Sequence, residues 1–231
     1  MEKTFRNGCL EIAPVFAKDG FKYFASKNQL TKKSKTFTYT IRFQSSHYNN
    51  AQHIQLIAHA SVSSPIIKKW RENQPLHVIH GDGIAGGLVH LLTDSGFIEW
   101  NLREKGKKNQ EIIRQIVGHI SKNAFPYFSK FEDTVNLLSE LKRNDIPAFG
   151  IGQALEFALC FGTKEDAQAI MENYLQRHPE DFNKAKKELE KYTTTGFPKT
   201  QMMYEAQQIA GAIIAYKLKP PKFPVESPTR A

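Results

Sequence analysis

The ten residues His53 to Val62, HIQLIAHASV, alternate strictly in polarity. Ile54, Leu56, Ala58, Ala60 and Val62 fall on one side; His53, Gln55, Ile57, His59 and Ser61 fall on the other. A period of two suits a strand with one buried face and excludes an amphipathic helix. Residues 37–44 repeat the pattern, with Phe37, Tyr39, Ile41 and Phe43 alternating with Thr38, Thr40, Arg42 and Gln44. Two half-buried strands of this kind belong to an antiparallel sheet, because a parallel sheet is covered on both faces. Shorter strands are predicted at 21–25, 76–80, 87–92 and 97–102, between turn-forming stretches such as SHYNN and TDSG.

A period near 3.6 brackets this region. A first helix is predicted from about Lys3 to Lys18, with Phe5, Cys9, Ile12 and Phe16 on one face, weakened by Pro14 and stopped at Asp19-Gly20. After Asn101 the chain reads as helix. Ile112, Ile113, Ile116, Val117 and Ile120 stripe one helix that NAFPYF should end, and Val135, Leu138 and Leu141 stripe the next. Helices at 150–162, 164–177, 180–192 and 200–218 follow, joined by breaks short enough for antiparallel hairpins. The predicted fold is α+β: an N-terminal helix, an antiparallel meander of five to six strands, then a C-terminal helical half. Residues 1–104 would form the sheet unit and 105–218 a helical half packed on it as one compact body. Residues 219–231, proline-rich and without periodicity, are predicted to be disordered.

Composition narrows the function classes. The longest apolar runs, such as IAGAIIAY at 209–216, are too short to span a bilayer, and the first residues lack the apolar core of a signal peptide. Cys9 and Cys160 sit in apolar helical patterns without metal-ligand spacing, which implies reduced thiols and a cytoplasmic protein. The net charge of +9 is lopsided: residues 1–110 hold 16 Lys and Arg against 8 Asp and Glu, and the remainder is nearly balanced. An acidic partner should therefore meet the first half.

Gly81 to Gly86, GDGIAG, spells the G-x-G-x-x-G of dinucleotide-binding loops. That chemistry needs a parallel strand before the glycines and a helix of several turns after them, whose N-terminus holds the pyrophosphate. Here the preceding strand belongs to an antiparallel meander and GLVHLLTDSG is broken by Ser95-Gly96. A strand-to-strand connection, with glycines supplying positive φ in a turn or bulge, is the better expectation. His77 and His80 would face opposite sides of a strand, and His53 and His59 would lie about 20 Å apart, so neither pair makes a metal site. Glu165-Asp166 and Glu180-Asp181 sit at helix starts, where the helix dipole explains them. No nucleophile, metal-hydrolase or P-loop motif is present. No catalytic residue, metal or cofactor is expected, and an enzyme is the less favoured class.

Three basic clusters, KNQLTKKSK (27–35), KKWR (68–71) and REKGKK (103–108), flank the predicted strands. Lys32, Lys33, Lys35, Lys68, Lys69, Trp70, Arg71, Lys105, Lys107 and Lys108 can form one partner-binding patch; the competing use of such lysines is to keep loops and sheet edges soluble.

The order of FAKDGFKYFASKNQLTKK, FTYTIRFQSSHYNN, FIEWNL, AFPYFSKFED and ALEFALCFGTKEDAQAIMENYLQ resembles a family of uncharacterised bacterial domains of unknown function, over about residues 5–190. The resemblance implies an α+β fold and assigns no catalytic residue. Domains of this kind are suspected to be immunity proteins of toxin systems. The leading expectation is a cytoplasmic, non-enzymatic protein-binding module; its specific form is an immunity protein whose sheet edge and basic loops mask an acidic face of a toxin. The alternatives are nucleic-acid binding by the basic half and a nucleotide-dependent enzyme at Gly81–Gly86; no membrane role is expected.

Overall fold

The computed structural model describes residues 2–50, 52–93, 98, 100–103, 108–198 and 202–221. Helix α1 (Glu2–Ile12) passes at Pro14 into a 3-10 segment, Ala13–Asp19. Six strands follow: β1 (Lys22–Phe24), β2 (Gln29–Lys33), β3 (Thr38–Ser45), β4 (Ile54–Ser63), β5 (Gly83–Leu88) and β6 (Trp100–Leu102). Helix α2 (Pro65–Glu72) sits between β4 and β5. Helices α3 (Asn109–Glu132), α4 (Thr134–Arg143), α5 (Ile151–Phe161), α6 (Lys164–Arg177), α7 (Pro179–Thr195) and α8 (Glu205–Ala215) complete the order. The α+β class, the N-terminal helix, the antiparallel sheet and the trailing helices all match the periodicity.

Every strand pairing is antiparallel, in the order β1-β2-β3-β4-β5. Strand β4 is long enough to take two partners along one edge: His59–Ser63 pairs with β5 and Ile54–Leu56 with β6. The period-two alternation decides which face is dry. Tyr39, Ile41 and Phe43 and the Ile54-to-Val62 series are buried on the side of α1 and α3. An aromatic cluster of Phe37, Phe131, Phe157 and Phe161 extends this core towards α5, with ring centroids 4.8–6.4 Å apart. Each such ring, fully buried, contributes about 2–3 kcal/mol of hydrophobic stabilisation.

Four local expectations fail, each for a tertiary reason. Residues 76–80 are not a strand: the Ile79 N–H donates to the Glu156 carboxylate at 3.0 Å instead of to a ladder. Residues 87–92 leave the sheet after Leu88, because Val89, His90 and Leu92 are all buried, which an alternating strand cannot achieve; they form a 3-10 turn. NAFPYF does not end α3, which runs through Pro126. The proline ring is on the exposed side while Tyr127, Phe128 and Phe131 are buried, and their packing outweighs one missing backbone bond. Fourth, KNQLTKKSK and KKWR do more than flank the strands: they contain β2, held in register by its ladder to β3, and part of α2, packed on α5. The predicted strand 97–102 survives as β6; Phe97 and Glu99 lie outside the described residues, as do residues 222–231 of the predicted disordered tail.

Candidate functional site: the open face of the sheet

Helices cover one face of the sheet, and the register fixes what stands on the other. Lys22 opposes Thr31, which opposes Thr40, then Ser61, then Gly86. In the neighbouring row Phe24, Gln29, Arg42, His59 and Leu88 stand side by side, and Lys33 shares the face opposite Thr38. None of the six strands contains an aspartate or glutamate. The open face therefore carries Lys22, Lys33, Arg42 and His59 with no carboxylate among them.

This face is the floor of a cleft of about 950 Å³. One wall is Ile79–Gly87 and the other is the segment from Ile146 to Gly150, with Gln153 of α5 above it. Asp82 is the single carboxylate among the described lining residues. Arg42 is exposed and makes no ion pair with a described residue; the residue directly across from it is His59. Burial lowers the His59 pKa below its ordinary value, and the charges of Arg42 and His90 lower it further. Neutral His59 thus offers one donor and one acceptor beside a permanent cation.

Glycines shape the first wall. Gly81 takes φ +80° in the turn before β5. A Cβ at Gly86 would lie 2.8 Å from the Ala60 carbonyl oxygen, so only glycine lets β5 lie against β4 there. The Gly86 N–H donates to the Ala148 carbonyl at 2.8 Å and ties the two walls together. Ala148 pays for that clamp with φ +56°, a conformation costing about 1–2 kcal/mol in a non-glycine residue. The G-x-G-x-x-G letters therefore spell a turn and an antiparallel strand. A four-residue 3-10 turn follows, and no helix begins near Gly86, so the segment offers no helix N-terminus to a pyrophosphate.

The ten residues of the sequence-derived basic patch separate. The Ser64 hydroxyl donates to the Thr36 carbonyl at 2.7 Å, which brings the β2–β3 turn against the start of α2. Lys33, Lys35, Lys68 and Lys69 accordingly gather at one end of the sheet. Lys32 faces the helix side, with Nζ 6.0 Å from the Phe21 ring centre. Trp70 packs against Tyr216 at 5.4 Å. Arg71 is no surface residue: it is 3% exposed, and its guanidinium binds Glu156 and the Gly81 and Gly83 carbonyls. Lys108 precedes α3 beside β6, at the far end of β4, and Lys105 and Lys107 lie outside the described residues.

Among the described residues, His178, Glu180 and Asp181 converge closely enough to hold a metal ion. They sit at the solvent-facing start of α7, and His178 Nε2 already meets Asp145 at 2.6 Å. Burial pushes the Asp145 carboxyl up, but Arg177 and His178 together bring it below its ordinary value, as expected of a helix-linking ion cluster. The His77 and His80 rings lie tilted, 5.5 Å apart, and among the described residues no third ligand joins them. Burial drives the Cys9 and Cys160 thiols up to about 12 and about 11, the opposite of an activated nucleophile.

The profile described as "Domain of unknown function (DUF4304)" matches residues 12–130. The chain belongs to that family. The DUF4304 segment contains the whole sheet, α2 and nearly all of α3, and stops well short of the residue-190 limit inferred from sequence. It supplies the cleft floor and the glycine wall, while Ile146–Gly150 and Gln153 come from beyond it. No curated protein and no solved structure matches the chain. Among the described residues of this DUF4304 protein, no helix is long and apolar enough to cross a membrane.

Proposed function

We propose that this chain is a cytoplasmic, non-enzymatic protein-binding module that recognises an acidic protein surface through the open face of its sheet. The observation that carries the reading is the acid-free sheet, whose uncovered side presents Lys22, Lys33, Arg42 and His59, the last two in the floor of a cleft of about 950 Å³. Lys35, Lys68 and Lys69 at the sheet end extend the positive field and would speed association with an acidic face, in a salt-sensitive way. The groups in the cleft are suited to holding rather than converting a ligand. His59 and Ser61 stand two residues apart on one strand face, about 7 Å, too far for a nucleophile and its base.

The specific form of the reading is an immunity protein masking a toxin. Inhibitors of nucleases imitate an acidic substrate, so the basic face points away from a nuclease as the toxin. Co-expression with the product of the neighbouring gene tests it: a stable complex, weakened by salt, and relief of toxicity are expected. No complex and no relief would reject it.

A second reading, nucleic-acid binding, rests on Phe24, which is 46% exposed and shares the open face with Arg42 and Lys22. A ring among cations can stack a base while phosphates are neutralised. This reading expects retention on heparin at low salt, lost when Lys32, Lys33 and Lys35 become Glu. Absence of retention would end it. The cleft itself favours protein, since among its described lining residues the charged groups are Arg42 and Asp82 and no Tyr or Trp lines it, Phe149 being buried.

A further inference from the structure

We infer that the occupant of the cleft is an extended, acidic peptide segment of a partner protein, lying along β3 with a carboxylate seated between Arg42 and His59; this rests on the protein-binding reading above. Three features of the cleft select that chemistry.

The first is charge. Arg42 has a fork of donors and no anionic partner among the described residues, and the residue facing it across the strand pair is a histidine. A planar carboxylate satisfies a guanidinium bidentately and can accept a further bond from an imidazole N–H. Asp82 is the one carboxylate among the described lining residues and stands on the wall, so the floor is free of anionic competition.

The second is the spacing of neutral hydrogen-bonding groups. Gln29 stands directly across from Arg42 on β2, Thr40 and Gln44 flank it on β3, and Gln153 of α5 lines the same cleft. Primary amides carry both a donor and an acceptor, which complements a peptide backbone that presents both in alternation. The Gln153 Oε1 is buried without a hydrogen-bond partner in the described structure.

The third is length. Thr40 to Gln44 gives the floor about 14 Å of strand, and continuing to Thr38 gives about 20 Å, the length of a six-residue extended segment. The bond from the Gly86 N–H to the Ala148 carbonyl fixes the Ile146–Gly150 segment against β5 beside this floor.

The test uses the full chain, isotopically labelled, with three probes at low salt. They are a fluorescein-labelled heptapeptide alternating glutamate and threonine, its glutamine counterpart, and an oligothymidylate of similar length. The acidic peptide should bind, shift the backbone amides of Thr40–Gln44, His59–Ser61 and Gly81–Gly87, and lose at least about tenfold in affinity in Arg42→Gln. Lys187→Gln, an exposed change on α7 away from the sheet, should change affinity by about twofold or less, and the glutamine peptide should bind at least about tenfold more weakly. Shifts confined to Lys35, Lys68 and Lys69 would overturn the cleft assignment while leaving an acid-binding surface. Equal binding of the glutamine peptide, tighter binding of oligothymidylate to the same amides, or no binding by either peptide would each overturn the inference.

Discussion

Arg71 and Glu156, 85 residues apart in the chain, meet with Nε 2.6 Å from Oε2 at a point where both are essentially sealed from water. The pair joins α2 to α5, and each partner is held by further bonds. Glu156 also accepts from the Ile79 N–H and the Tyr216 hydroxyl, and Arg71 donates to the carbonyls of Gly81 and Gly83. Burial raises the Glu156 pKa, and Arg71 and the two other donors oppose the rise. The network positions the glycine wall of the cleft from behind. Removing one partner strands a buried charge, so Arg71→Ala should cost about 3–5 kcal/mol in denaturant unfolding. It should also accelerate hydrogen exchange at Ile79; a loss below about 1 kcal/mol would contradict the pinning role.

The glycines of the 81–87 segment should differ in sensitivity. A Cβ at Gly86 would meet backbone and side-chain atoms of β4 at 2.8–2.9 Å, one at Gly87 would touch Ala148 at 3.1 Å, and one at Gly83 would meet open space. Thermal denaturation should therefore rank Gly86→Ala worst, at about 2 kcal/mol or more, with Gly87→Ala intermediate and Gly83→Ala near neutral. Equal effects at all three would mean that β5 does not pack against β4 in this register.

His59 and His119 should make the fold acid-sensitive. Burial lowers both pKa values, aided by Arg42 and His90 for His59 and by His90 and Lys122 for His119. Unfolded histidine binds its proton near 6.5 and these do so at lower pH, so the unfolded state takes up more protons in between. Stability is fully present above about pH 6.5 and declines as pH falls through that window. Replacing both residues with glutamine should flatten the melting temperature between pH 7 and pH 5; an unchanged slope would exclude them as its source.

The two cysteines should be unreactive while the protein is folded. With thiols raised to about 12 and about 11, the thiolate fraction at pH 8 is at least about 100-fold below that of a free cysteine. Alkylation monitored by mass should be slow at both sites until denaturant is added. Rapid labelling of Cys160 in the native state would show that α5 opens.

Strands β3 and β4 and helices α6 and α7 were legible because a single local pattern, period two or a capped helical run, decides each. Thr163 and Asp166 start α6 with a capping box, and Pro179 opens α7. Strand β2 and helix α2 were obscured because lysines dominate QLTKK and PIIKKWRE, although Ser64 before Pro65 is an N-cap signal. The passage of α3 through Pro126 depends on the aromatic cluster, which no local window contains. Alternation already placed Arg42 and His59 on the polar faces of their strands. What it could not supply was the register that sets them opposite each other, or the arrival of Ile146–Gly150 from about 90 residues beyond His59 to wall the cleft. Charge counting found the basic half but placed its emphasis on lysine runs, of which Arg71 proved internal.

Reversing charge on the open face tests the central claim most directly. Arg42→Glu with Lys33→Glu, titrated against the purified protein partner, should weaken the complex by about 30-fold or more, with far-ultraviolet circular dichroism and melting temperature unchanged because both side chains are exposed. An affinity within twofold of wild type would show that recognition lies elsewhere.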